Sequence, residues 1–268
     1  MPDLFTLLRN WWKPILLLLL LSLTTVGVIV FTQRPEYRSV ATAVPASTYS
    51  SDKARLFNNN IEQLYTALGT PDDLDLVVGT GKLDTVYLAV TRKFNLQDHY
   101  KMEEKGDAAI YKAAILLKKN SHVAKSEYGE LKVSVWDTDR NLAPQLANAV
   151  MKQLQTMHQH LQQAGNEASL QSLLAMKEKL IIEKELTKMD EAKATISARL
   201  AEYDKLIGQY ELIQSNPSLA LIVVENARAN DWPDRPKRVQ WMLGTAVLAL
   251  LFSLLLAAFL ESRKKRDA

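Results

Sequence analysis

Asp137 and Asp139, two residues apart, are the carboxylates whose type and spacing first suggest chemistry. Such a pair works as general acid and base when it flanks a cleft and a further group positions the substrate. The sequence offers no such partner. Instead Asp137-Thr138-Asp139 stands directly before an apolar-periodic run through Leu142, Leu146, Ala149, Val150 and Leu154. An Asp or Thr there accepts the free N–H groups of a first helical turn, so capping is the expected role. Asp72, Asp73, Asp75 and Asp84 could suggest a calcium loop, but they lack EF-hand spacing and a closing Glu, and helix starts favour carboxylates. Gly79-Thr80-Gly81 lacks the following Gly-Lys-Ser/Thr or third glycine of a phosphate loop and reads as a plain turn. His158 and His160 would point to different faces of a helix, unlike the i, i+4 pair of a helical zinc site, and His99 and His122 stand apart. The absence of cysteine excludes a disulfide framework and thiolate metal sites, and no serine sits in a nucleophile elbow. These residues predict no catalytic, cofactor or metal site, and a membrane-bound hydrolase or transferase would need a convergent acid-base or nucleophile set that the sequence does not display.

The elements that hold them are bounded by two apolar runs. Between Arg238 and Glu261 lie 22 uncharged residues, which as a helix reach ~33 Å, enough for a bilayer core of ~30 Å. Trp241 sits where an indole favours the headgroup layer. The approach to this run, Asn230 to Pro236, cannot be regular helix, because Pro233 and Pro236 restrict themselves and the residues before them. A second run of 20 uncharged residues separates Lys13 from Arg34. Its core is too long for a cleaved signal peptide and no small-x-small site follows, so it is read as a retained helix. Two spans put both ends on one side and loop out about 200 residues, ample for a core of their own. Six of the 33 bases and three of the 30 acids lie outside this loop, so the ends carry the whole formal charge of +3 and the loop is neutral. Short positive ends favour the cytoplasm. A neutral loop argues against nucleic-acid binding.

Inside the loop, Glu36 to Val44 alternates as a strand that Pro45 ends, and Lys53 to Leu68 reads as a helix stopped by Gly69. A turn or short helix over Thr70 to Asp75, helices over Leu83 to Phe94 and Asp107 to Lys119, and strands over His122 to Glu127 and Glu130 to Asp137 follow. Tyr128-Gly129 is the turn between the strands. Leu131, Val133 and Val135 alternate with Lys132, Ser134 and Trp136, the pattern of a half-exposed strand.

Gly165 to Ser215 contains no proline, and Ile196, Leu200, Tyr203, Ile207 and Tyr210 form a stripe at helical spacing. Lysines and glutamates interleave along it, with patchy i, i+4 pairing. If continuous, this helix would reach ~75 Å, more than a compact domain needs. It would then stand out as an arm or pack on copies of itself, the stripe being either a core face or a subunit contact. Asn216-Pro217 ends it, and Leu219 to Glu225 is a β-branched return strand, expected to join the sheet of Glu36 to Val44.

Three pieces carry a resemblance to a known family: LKVSVWDTDRNLAPQLANAVMKQL (Leu131 to Leu154), LDTVYLAVTRKFNLQDHY (Leu83 to Tyr100) and PDRPKR before the second span. Together with the order of elements they resemble the bacterial polysaccharide co-polymerases, the Wzz-type chain-length determinants, over nearly the whole chain. The matching motif positions are Asp137, Asp139, Ala147, Asn148, Pro233, Pro236 and Gly244. The proline segment is sparse, the second span has one glycine, and no Walker motif or tyrosine-rich tail follows, so the resemblance is to the variant without a fused kinase. It implies a non-enzymatic inner-membrane protein that forms a homo-oligomeric ring and sets the length of O-antigen, capsule or exopolysaccharide. The implied partners are a membrane polymerase and a lipid-linked or growing glycan, with no cofactor. The expected fold is α+β, two membrane helices flanking an extracytoplasmic α/β base with a long helical arm. Its segments are a cytoplasmic N-terminus (1–13), a first span (14–33), a periplasmic base (34–160), the arm (161–216), a return strand and proline-bearing segment (217–238), a second span (239–260) and a cytoplasmic basic tail (261–268). The subunit contact is expected at Ile196, Leu200, Tyr203, Ile207 and Tyr210. An export scaffold and a channel subunit remain the alternatives, although neither span carries the ionisable residue that marks a pathway. A sensor would need an output domain, for which the short tail leaves no room.

Overall fold

The computed structural model describes residues 4–46, 73–215 and 220–264. It divides into two compact units: residues 1–38, 137–140 and 230–268 form one, and residues 39–136 and 141–229 the other. The helix expected over Lys53 to Leu68 lies outside the described residues.

The first unit is built on two helices, α1 (Leu4–Thr32) and α8 (Arg238–Lys264). Within them Trp11–Thr32 and Arg238–Arg263 are long and apolar enough to cross a bilayer. Proline lacks the N–H that a helix interior requires. Pro14 sits inside α1, and the backbone kinks one turn earlier, at Trp11. The helices run antiparallel and pack along much of their length. Ala249, Ser253 and Ala257, four residues apart on α8, are buried. Small residues at this spacing let helix backbones approach closely in lipid, where no hydrophobic force drives association. Both ends are pinned. Trp11 Nε1 donates to Glu261 Oε2 at 2.9 Å, and the Arg238 guanidinium lies 4.8 Å above the Phe31 ring. Leu248, Leu251, Leu255 and Phe259 face outward, as a helix solvated by acyl chains requires.

The second unit holds a four-stranded sheet in the order β2-β3-β1-β4, with β1 (Tyr37–Pro45), β2 (Ser121–Lys125), β3 (Leu131–Asp137) and β4 (Leu221–Glu225). β2 and β3 form the hairpin that the sequence predicts around Tyr128-Gly129. β1 and β4 pair antiparallel, Val44 opposite Ile222, with a shift in register between Thr42 and Ala43. The half-exposed reading of β3 is corrected. The strand lies between β2 and β1, and Ser134 and Trp136 are buried along with Leu131, Val133 and Val135. Alternation marks a strand, but a polar position in it need not face water when the sheet is covered on both sides.

Among the described residues, four helices lie between β1 and β2: α2 (Asp73–Thr80), α3 (Asp84–Phe94), α4 (Leu96–His99) and α5 (Asp107–Lys119). Asn95, at a left-handed φ of 50°, separates α3 from α4. The core joins Leu74, Val86, Val90, Leu96 and Leu117 of these helices to the sheet and to Leu146, Val150, Met151 and Leu154 of α6 (Leu142–Leu186).

α6 revises the expected layout. It runs for 45 residues without a break, so the boundary placed at 160/161 falls inside one helix. Its buried residues all lie between Ala143 and His158; the rest of α6 leaves the core. The break comes at Thr187-Lys188-Met189, after which α7 (Asp190–Ser215) folds back along α6. Thr187 is extended, and Asp190 and Glu191 occupy the first turn of α7, where the helix dipole favours negative charge. Lys177 meets Asp204 at 2.5 Å, and the Tyr203 hydroxyl lies 3.4 Å from Met176 Sδ. These pairs centre the hairpin on the break. The arm is therefore two antiparallel helices in place of one helix of ~75 Å.

The packing of the two spans has a direct test. A short bis-maleimide is expected to bridge cysteines placed by Trp11→Cys and Glu261→Cys in this cysteine-free chain. Adding Ser253→Leu to that double variant should cut the yield several-fold by prising α1 from α8. An unchanged yield would show that the small residues do not set the approach.

Candidate functional site

Asp137 ends β3 and is 2% exposed, whereas Asp139 is exposed. Asp137 Oδ1 accepts the Asp139 backbone N–H at 2.8 Å, closing a turn that leads toward α6. The helix itself starts later than the two aspartates, with Asn141 at its N-cap position. One carboxylate thus shapes the turn from within and the other meets water, so the two do not flank a common cleft. In the same turn Arg140 meets Asp231 of the proline segment at 2.9 Å.

Ala147 and Asn148 sit on α6, one turn below Met151. Ala147 is buried in the core. Asn148 behaves as a piece of backbone: its Oδ1 accepts the Ala227 N–H at 2.8 Å and its Nδ2 donates to the Ala227 carbonyl at 3.3 Å. Two helical turns on, Gln155 Nε2 donates to the Leu221 carbonyl at 2.8 Å. The two amides lie on one face of α6, since seven residues make two turns. They satisfy polar groups of β4 and the residues after it, on the strand that ends the sheet. An edge strand left open is a template for aggregation. Ser39 Oγ adds a bond to the Arg228 carbonyl at 2.9 Å.

The Gly79-Thr80-Gly81 segment is a structural joint. Thr80 Oγ1 donates to the Val77 carbonyl at 2.8 Å and lies 2.7 Å from His158 Nε2. Because that hydroxyl proton is used, the imidazole nitrogen is the donor in the second contact. Tyr87 donates its hydroxyl to the Gly81 carbonyl at 2.7 Å. A Cβ at Gly81 would come within 2.9 Å of Val123 Cγ1, which explains the glycine. Burial pushes the Tyr87 phenol up to about 12. Of the other histidines, His99 packs on Tyr100 and His122 and His160 are exposed. Among the described residues, no group of three His, Cys, Asp or Glu side chains could hold a metal ion. The lowered carboxylates are surface pairs: Glu104 beside Lys112, and Glu130 beside Lys132 and Ser126.

Pro233 and Pro236 frame a segment fixed to the start of β1. Glu36 and Arg235 form an antiparallel bridge, and the Arg235–Pro236 peptide is cis. Gly244 is exposed on α8, with nothing within 4 Å of where its Cβ would be. The close approach to α1 is made by Ala249, Ser253 and Ala257, a four-residue repeat visible in the sequence.

On α7, Ile196 and Ile207 are buried and Leu200, Tyr203 and Tyr210 half-buried. The stripe faces α6 of its own chain. Leu174, Met176, Ile181, Ile182, Leu186, Met189, Leu206 and Leu212 are exposed on the same hairpin.

Fold and site together define a two-span α+β protein with a helical hairpin, in which Asn148 ties α6 to the segment after β4. No protein-family model and no curated protein matches the chain. It is similar to a solved structure described as a full-length bacterial polysaccharide co-polymerase, at 11% identity and a TM-score of 0.44, covering 100% of this chain and 99% of the other.

Two measurements test these roles. Asn148→Ala strands the N–H and carbonyl of Ala227 and is expected to cost about 1–3 kcal/mol in chemical denaturation; a cost near zero would remove the clamp. Tyr87, with a folded pKa raised above its usual 10.0, contributes stability that is full below pH 10 and lost as pH rises toward about 12. Tyr87→Phe should therefore show a shallower alkaline loss of stability than the parent over that window.

Proposed function

We propose that this chain is a non-catalytic regulator of polysaccharide chain length in the bacterial inner membrane. In this reading it forms a homo-oligomeric ring that acts with a membrane polymerase on a lipid-linked or growing glycan, as O-antigen, capsule or exopolysaccharide. Both ends lie in the cytoplasm and the large domain in the periplasm. The observation that carries the reading is the order of elements on one chain. A span leads into a strand, small helices and a β-hairpin. A 45-residue helix then folds back on itself, and a return strand, a proline segment and a second span complete the order. This is the layout that the sequence resemblance implies. Supporting it, Ala147 packs α6 into the core and Asn148 ties it to the backbone after β4, roles suited to a scaffold.

Assembly would use surfaces that a single chain leaves open. The α7 stripe is largely covered by α6, so a subunit contact would draw on its half-buried edge, Tyr203 and Tyr210, and on the outward Leu206 and Leu212. Covering a leucine fully is worth ~1.5–3 kcal/mol. Gly244, open on α8, offers a close approach to another helix within the bilayer. A ring repeats each weak glycan contact, and many weak contacts held together act as a strong one.

Deleting the gene should turn a surface polysaccharide of defined modal length into a broad or short ladder on gels, and restoring it should return the mode. Leu206→Glu with Leu212→Glu should lower the subunit number and broaden the ladder without unfolding the chain. An unchanged ladder after deletion would favour an export scaffold or a channel, which conductance in reconstituted bilayers separates.

A further inference from the structure

The Trp232 indole is 79% exposed, although it belongs to the compact unit that contains both spans. We propose that Trp232 and the cations beside it form an interfacial anchor, seated in the headgroup layer of an anionic lipid surface. An indole has an apolar body and one N–H donor, a combination favoured at the boundary between acyl chains and water.

Three observations place it there. First, its segment is tied to the spans. Glu36 N–H donates to the Arg235 carbonyl at 3.0 Å, Asp234 N–H donates to the Glu36 carbonyl at 2.8 Å, and the Arg235 guanidinium lies 3.6 Å from the Glu36 carboxylate. Glu36 follows the end of α1 by four residues, and Arg235 precedes α8 by three. Trp232 is three residues from Arg235, at most ~10 Å of extended chain. Secondly, the ends of the spans are marked by Arg238 stacked over Phe31 and, one turn into α8, by the exposed Trp241. A second indole just outside that level lies within reach of the headgroups, which form a layer of ~5–8 Å on each side. Thirdly, residues 34–38 and 230–238 together carry five bases and three acids, and Arg34 and Lys237 are exposed. Their net excess of positive charge, summed over both segments, favours anionic headgroups. Pro233, directly after the tryptophan, fixes its own φ and restricts the backbone of Trp232.

The inference rests on the two helices crossing a bilayer but not on the polysaccharide reading, and the test separates the two. The full chain is reconstituted in bilayers of phosphatidylethanolamine and phosphatidylglycerol. The native indole is read as the difference in bromolipid quenching between the parent and Trp232→Phe. Bromines placed near the headgroups are expected to quench that component several-fold more than bromines near the bilayer centre. Position is read independently by a nitroxide on Trp232→Cys, with Leu248→Cys as the hydrocarbon reference and the same label on free cysteine in buffer as the aqueous one. The label at 232 should be more accessible to oxygen and less to an aqueous nickel chelate than the label free in buffer, and shallower than that at 248. Replacing phosphatidylglycerol by phosphatidylcholine should move 232 toward the aqueous profile and leave 248 unchanged; no shift would overturn the preference for anionic lipid. An aqueous profile at 232 with 248 in the hydrocarbon overturns the anchor, whether or not an added glycan shields the site. An aqueous profile at both overturns the spans and the anchor together.

Discussion

The chain enters and leaves its α+β unit through two strands that pair with each other, and the rest of that unit depends on the pairing. β1 opens the sheet in sequence and β4 closes it nearly 180 residues later. Bringing such distant segments together carries a loop-closure cost that grows only slowly with length, but a ladder of a few residues repays little of it alone. The additional support comes from α6. Gln155 donates to the carbonyl of Leu221 at the start of the return strand, and Asn148 pairs with both backbone groups of Ala227, two residues past its end. One helix face thereby ties down both ends of that strand.

That same helix links this closure to the hairpin. Its first part is held by Leu146, Val150 and Leu154 in the core. Its second part has no buried residue of its own and leans on α7 through Ile196, Ile207 and Ile213. Because no break separates the two parts, the direction of the hairpin within its unit is set by core packing. A core substitution that tilts the start of α6 would swing its far end through a larger arc, since a displacement grows with distance along a stiff rod at ~1.5 Å per residue. For a protein working through contacts between copies, such leverage would make core residues matter to assembly without touching a partner.

Much of this was legible in the sequence, and the misses have physical reasons. The strand Glu36 to Val44, the helices over Leu83 to Phe94 and Asp107 to Lys119, the β-hairpin and both apolar helices follow from periodicity and turn residues, which are local signals. The turn at Thr187-Lys188-Met189 was not legible, because it contains neither proline nor glycine. Gly165 and Gly208, the conspicuous breakers, lie within helices, where tertiary packing outweighs a cost of ~1 kcal/mol each. The burial of Ser134 and Trp136 was hidden because a strand's pattern reports its own residues and not what covers them. Asn148 was marked by resemblance alone. Its partner, Ala227, lies 79 residues away, and nothing near either residue announces the bond.

The motif positions that resemblance selects divide by the kind of work they do. Asp137 shapes a turn, Ala147 fills the core and Asn148 bonds the backbone just after a strand, so a change at any of them acts through the fold and should be read first as a change in stability. Gly244 leaves surface open, as do Leu206 and Leu212 outside the motif, and changes at these three are expected to leave the fold of the single chain intact. A regulator that acts by geometry would lose function by both routes, but only the second would do so with an unaltered melting temperature. In the proposed reading, pairing a stability measurement with a polysaccharide ladder would distinguish a residue that builds the fold from one that serves a contact between copies.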